Sequence, residues 1–143
     1  MLVSQILKGK GDLVFTASPQ ETVAAAAALL LARRVGAMVI VDPSEKIVGI
    51  LSERDIVRAV AERGASALSE PIAGFMSPDV IFAKPTDTVA SLLEVMTDRR
   101  IRHLPVLVDG RLAGIVSIGD LVKSKIAEAE AEAEGLKAYI SAG

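Results

Sequence analysis

Gly49-Ile50-Leu51-Ser52-Glu53-Arg54-Asp55 returns as Gly114-Ile115-Val116-Ser117-Ile118-Gly119-Asp120. Upstream, Pro19, Thr22, Val23, Ala24, Arg33 and Arg34 return as Pro85, Thr88, Val89, Ala90, Arg99 and Arg100, displaced by 66 positions, whereas the first stretch is displaced by 65. One residue has therefore been lost from a turn between the two blocks. A tandem duplication of this size implies two copies of one supersecondary unit, each too short to bury a good core alone. The halves are expected to pack against each other.

Working outward, Met38-Val39-Ile40-Val41 reads as a wholly apolar strand, Asp42-Pro43-Ser44-Glu45 as a turn and Ile47 to Leu51 as a second strand. Leu104 to Val108, Asp109-Gly110 and Leu112 to Val116 repeat that hairpin. Val14-Phe15-Thr16 and its counterpart Val80-Ile81-Phe82 are β-rich and precede Pro19 and Pro85, after which Thr22 and Thr88 can cap a helix. Each second hairpin strand runs into Ser-x-x-Asp and another helix, Ile56 to Arg63 and Leu121 onward. Each half thus predicts strand, helix, strand, turn, strand, helix. Val3, Ile6 and Leu7 lie at helical spacing before the Gly9-Lys10-Gly11 cluster, and Ile72, Phe75 and Met76 match them before the second half. Gly64 to Ser69 reads as a connecting loop.

The C-terminal segment differs. Val122, Ile126, Ala129, Ala133, Leu136 and Ile140 recur at alternating steps of four and three among Glu128, Glu130, Glu132 and Glu134, which predicts a long amphipathic helix with a narrow apolar seam. The seam either folds back on its own domain or pairs with a second chain.

Composition bounds the function. The 143 residues are 51% apolar, enough for a substantial core. A net charge of −2 and 3% aromatic content give no sequence-wide reason to expect a nucleic-acid polymer as partner. The absence of cysteine excludes disulfides, thiolate nucleophiles and sulfur-ligated metals, and fits a reducing cytoplasm. The longest apolar run, Val23 to Ala32, is ten residues, too short to span a membrane. Met1 to Asp12 places its lysines after its apolar positions, the reverse of a secretory signal.

The Pro, the Thr-Val-x-x-Ala/Leu helix and the Gly-Ile-Leu/Val-Ser-x-x-Asp block, each present twice, resemble the cystathionine-beta-synthase (CBS) domain in the tandem arrangement called a Bateman module. The resemblance runs from Val3 to about Ile126, with no catalytic or transporter domain attached. It implies an α+β fold of α/β-type repeat units. These would be two CBS domains in a pseudo-two-fold pair, 1–67 with the N-terminal helix and 68–125, followed by a helical tail, 126–143. It further implies clefts for adenosine compounds such as AMP, ATP, NAD(H) or S-adenosylmethionine. The expected behaviour is that of a homodimeric sensor signalling to an unidentified effector protein, with no catalytic residues.

In the family the Ser-x-x-Asp acid binds ribose, which carries over to Ser52 and Asp55 and to Ser117 and Asp120. A carboxylate can accept from both ribose hydroxyls, and a hydroxyl beside free N–H groups favours phosphate. The same spacing is also a helix-start signature, a hydroxyl cap with an acid in the first turn. Residues before the second strand face the nucleotide in the family: Gly36 and Ala37 here, and Arg102, His103 and Pro105 in the second half. Thr16 and Ser18, matched by Phe82 and Lys84, fall where the family approaches the base or its ribose; Thr16 could hydrogen-bond a base edge, Phe82 could only pack, and Ile81 beside it joins the expected site. Arg54 stands beside one ribose acid and has Gly119 as counterpart, so it is either a phosphate contact of one site or a solvated helix-start residue. His103 is likewise either a phosphate contact or a loop residue without a role. These departures between the halves imply two unequal sites. His103 is the sole histidine, which leaves no metal-ligand cluster and no base beside a nucleophile. A scaffold that binds no ligand is the alternative function.

Overall fold

The computed structural model describes residues 1–10 and 14–142; Gly11 and Asp12, from the N-terminal reading, and the last tail residue, Gly143, lie outside them. The chain divides into two compact units, one formed by Val14–Val80 and the other by the N-terminal helix together with 81–142.

In the first unit, β1 (Thr16–Ala17) leads to α2 (Val23–Arg33), which follows α1 (Val3–Lys10) in chain order; β2 (Ala37–Val41), β3 (Ile47–Ser52) and α3 (Glu53–Arg63) complete the repeat. The sheet order is β1-β2-β3, with β1 parallel and β3 antiparallel to β2. Met38, Ile40 and Leu51 from the sheet meet Val23, Ala26 and Leu30 from α2 and Ala59 from α3 in one buried cluster. Gly64–Ser69 and Ile72–Gly74 form short 3₁₀ turns, and Ile72 and Phe75 enter the same core.

The second unit holds α1, α4 (Val89–Arg99), β4 (His103–Val108), β5 (Arg111–Ser117) and α5 (Ile118–Ala142). Its core joins Val3 of α1 to Val89, Leu92 and Met96 of α4, Leu104, Val106 and Val116 of the hairpin and Leu121 of α5. Chain order places α1 ahead of the first repeat, yet it packs in the unit of the second.

Local chemistry explains the helix ends. Thr22 and Thr88 accept from the N–H groups of Ala25 and Ser91, both at 3.1 Å, so each satisfies an otherwise orphaned donor of its helix. At the other end Arg34 and Arg100 turn left-handed, with φ 55° and 54°. The N–H groups of Val35 and Ile101 then reach back to the carbonyls of Leu30 and Met96, the Schellman closure usually given to glycine. Arg33 also stacks 4.7 Å over the Phe15 ring, a contact that Ile81 at the equivalent position cannot offer Arg99.

One expected strand is nearly missing. Val80-Ile81-Phe82 forms no strand, and only Ala83 bridges Val106 in parallel. In the first unit the N–H of Val39 reaches the Phe15 carbonyl. The residue in the place of Val39 is Pro105, which has no N–H to give Ile81, so the ladder shrinks to the bonds around Ala83.

Each unit is closed by the segment that precedes the other repeat. Leu2 bridges Thr88 and Val3 donates to Asp87, while Pro71 bridges Thr22 and Ile72 donates to Glu21. The glycine of each Gly-Ile-Leu/Val-Ser block receives that segment. A Cβ at Gly114 would lie 2.5 Å from Leu7 Cδ2, and one at Gly49 would lie 2.7 Å from Met76 Sδ and 3.0 Å from the Ser77 carbonyl.

Candidate functional site

β3 and β5 pass into α3 and α5 with no intervening loop, which leaves the Ser-x-x-Asp segments at the strand-to-helix junctions. In the first unit Ala37 pairs with Ser52 across the hairpin, and the Glu53 N–H donates to the Gly36 carbonyl at 2.9 Å. The second unit repeats this: His103 pairs with Ser117, and the Ile118 N–H donates to Arg102 at 2.8 Å. The hairpin register thus brings Gly36, Ala37, Ser52 and Asp55 together in one unit and Arg102, His103, Ser117 and Asp120 in the other.

Both Ser–Asp pairs are reciprocal capping boxes. Asp55 accepts from the Ser52 N–H at 2.8 Å and returns its own N–H to Ser52 Oγ; Asp120 accepts from the Ser117 N–H at 2.9 Å and returns its N–H in the same way. Their remaining partners differ. The Asp55 side chain is only 12% exposed, and its Oδ1 lies 3.0 Å from Arg58, which also donates to the Phe75 carbonyl. Asp120 instead receives Lys10 Nζ, from the end of α1, on Oδ2 at 2.6 Å, while the same ammonium donates to the Ile115 carbonyl at 2.9 Å. Lys10 and the Ser117 N–H thus share one carboxylate oxygen, Oδ2, of Asp120.

Partial burial opposes ionisation of Asp120 and is the largest single influence on it. The Lys10 hydrogen bond, the Ser117 N–H and the Lys10 charge together outweigh it and hold the carboxyl below its ordinary range. Asp120 is therefore a carboxylate at any physiological pH.

The other expected residues are more dispersed. Thr16 is exposed on β1, two strands and about 10 Å across the sheet from Ser52. Ser18 accepts from the Gln20 N–H within its own turn. Arg54 and Arg102 are exposed, and Ile81 is half-buried against the second core. Pro105 is buried, and its carbonyl accepts from the Ala83 N–H, so its visible role is in the sheet. A shallow groove between α2 and α3, rimmed by Leu31, Arg34, Glu53 and Val57, meets the expected set only at Gly36. Sequence reasoning missed Lys10, for which no local signal exists. It also missed Arg58, although a cation three positions after Asp55 was a legible hint. Among the described residues no group of three or more His, Asp or Glu side chains could hold a metal ion, and no helix is long and apolar enough to cross a membrane.

Two copies of a helix, hairpin and helix, each with a Ser–Asp cap at the same junction, define a duplicated α/β repeat protein. The CBS domain model matches residues 11–62 and 72–126, and the chain belongs to the CBS domain family as a tandem pair. It is similar to a CBS-domain containing protein from Agrobacterium tumefaciens, 41% identical with a TM-score of 0.85, over 87% of this chain and 92% of that one. A CBS domain protein from Pyrobaculum aerophilum complexed with AMP is 31% identical, TM-score 0.74, over 84% of this chain and 89% of that one. The CBS domain pair of protein MJ0100, in complex with 5′-methylthioadenosine and S-adenosyl-L-methionine, is 28% identical, TM-score 0.79, over 90% and 98%. The matched model indicates no catalytic family.

Proposed function

We propose that this protein is a regulatory sensor of adenosine nucleotides of the AMP, ATP or NAD(H) type, acting in the cytoplasm as a homodimer that signals to an effector protein. The observation that carries this reading is the pair of aspartates, Asp55 and Asp120, each fixed at a strand-to-helix junction beside a hydroxyl. That two relatives hold AMP or S-adenosylmethionine and 5′-methylthioadenosine supports the adenosine class. Ribose hydroxyls would donate to the carboxylates, and Arg54 or Arg102 and His103 would meet phosphate. Thr16, Ser18, Gly36, Ala37, Ile81 and Pro105 would shape the surroundings of the base and sugar. Bound ligand shifts the protein only by its difference in affinity between two states, so the sensor needs no chemistry of its own.

A thermal-shift screen against AMP, ADP, ATP, NAD⁺, NADH and S-adenosylmethionine, with GMP as control, tests the reading, because a ligand specific to the native state raises Tm by mass action. The expected result is a shift with at least one adenosine compound and none with GMP. It should weaken about tenfold or more in apparent affinity in Asp55→Ala or Asp120→Ala, since a hydrogen bond to a charged group contributes ~1.5–3 kcal/mol. The scaffold reading draws on the fact that both carboxylates already have partners within the fold. No shift at millimolar concentrations would favour it.

A further inference from the structure

Helix α5 has two separate faces. Leu121 and Ser124 are buried against its own unit, and half-buried Glu128 continues that line. At about 100° per residue, the seam Val122, Ile126, Ala129, Ala133, Leu136 and Ile140 lies roughly a third of a turn away. This seam is uncovered: Ile126 is 54%, Leu136 61% and Ile140 68% exposed, and every residue from 129 to 142 is exposed. An isolated helix of that length, with Gly135 inside it, is marginal in water, so something must cover the seam for it to persist.

The charges beside the seam specify what. One flank carries Lys125 and Glu132, the other Lys123, Glu130 and Lys137. In a parallel, in-register pair of α5 helices, each residue of the Lys125/Glu132 flank faces the partner's other flank five positions further on. Lys125 then meets the partner's Glu130, and Glu132 meets the partner's Lys137, both of opposite sign and each occurring twice by symmetry. A fully overlapped antiparallel pair would set Glu130 against Glu130, Glu132 against Glu132 and Lys123 against Lys137, all repulsive, and slipping it by a heptad to set Lys123 and Lys125 against Glu130 and Glu132 would leave Leu136 and Ile140 uncovered. We infer that α5 docks along this seam onto α5 of a second copy of the chain, parallel and in register. The small Ala129 and Ala133 layers bring the two backbones close at the centre. This deepens the homodimer reading and does not depend on the nucleotide sites.

The chain has no cysteine, so single-cysteine variants report the pairing directly. In a parallel pair each seam position meets its own copy. Ala129→Cys and Ala133→Cys should therefore give covalent dimers on oxidation or with a short bis-maleimide, while Ala131→Cys on the outer face should not. Light scattering on the reduced proteins reports the homodimer itself. Glu130→Lys combined with Glu132→Lys should weaken dimerisation about tenfold or more at low salt, and adding Lys125→Glu and Lys137→Glu should restore it. A dimer by light scattering that cross-links no better at 129 and 133 than at 131 overturns the parallel pairing and leaves the homodimer standing. A monomer at tens of micromolar overturns both. Neither result touches the nucleotide sites, because the thermal-shift response is read separately.

Discussion

Asp55 and Asp120 occupy the same position in the same motif, with the same capping box, and differ in who holds their remaining oxygen contacts. Asp55 is gripped by Arg58, three residues along its own helix; Asp120 is gripped by Lys10, 110 residues away in sequence. A duplicated motif thus retains its local chemistry while its long-range closure diverges. Whatever reaches Asp55 meets a self-contained helix start. Whatever reaches Asp120 also meets the end of α1, and a ligand that displaces Lys10 there changes how that helix is tied down.

The largest expected effect that sharpens the comparison lies at the two motif glycines. Gly49→Ala should cost about 1–3 kcal/mol, since the new methyl meets the Ser77 carbonyl as well as Met76. Gly114→Ala should cost less, because only the mobile end of Leu7 must move. Urea denaturation of the two variants measures this, and equal losses would break the distinction between a backbone and a side-chain obstacle. Next come the caps. Ser52→Ala and Ser117→Ala should each lose about 1 kcal/mol, the usual worth of an N-cap hydroxyl.

Smaller still is the Lys10 pair, which is about a third exposed and so contributes less than about 1 kcal/mol. Because Asp120 titrates below its ordinary value when folded, the stabilisation is complete above about pH 4 and fades as pH falls further. Lys10→Met should therefore be destabilised at pH 7, with the penalty in denaturation midpoints shrinking as pH is lowered below about 4. A penalty that does not change as pH falls would show that Lys10 acts by packing instead. The smallest effect is a gain: Arg34→Gly or Arg100→Gly relieves a left-handed residue and should add about 0.5–1 kcal/mol, equally in the two units.

The repeats, both threonine caps, both hairpins and the long final helix were legible because each depends on residues within a few positions of one another. The shortened strand at Ala83 was legible in principle, since Pro105 stands where Val39 donates, but a strand pattern read segment by segment does not check its neighbour's donors. Half of each candidate site followed from the Ser-x-x-Asp spacing and hairpin register. Lys10 did not, because nothing near residue 10 announces a carboxylate at 120, and the packing of α1 with the second repeat leaves only one sequence trace, the glycine that accommodates Leu7.

That exchange of α1 has a consequence for synthesis. Val14–Val80 contains all the residues of its own core, so the first unit can close as soon as it has left the ribosome. Val3 must wait for Leu104, Val116 and Leu121, about 100 residues later. At roughly 5–20 residues per second this leaves α1 bare for about 5–20 s. The earliest helix made is among the last to be buried, and during that interval its apolar face is open to chaperones, or to the same helix on a neighbouring nascent chain.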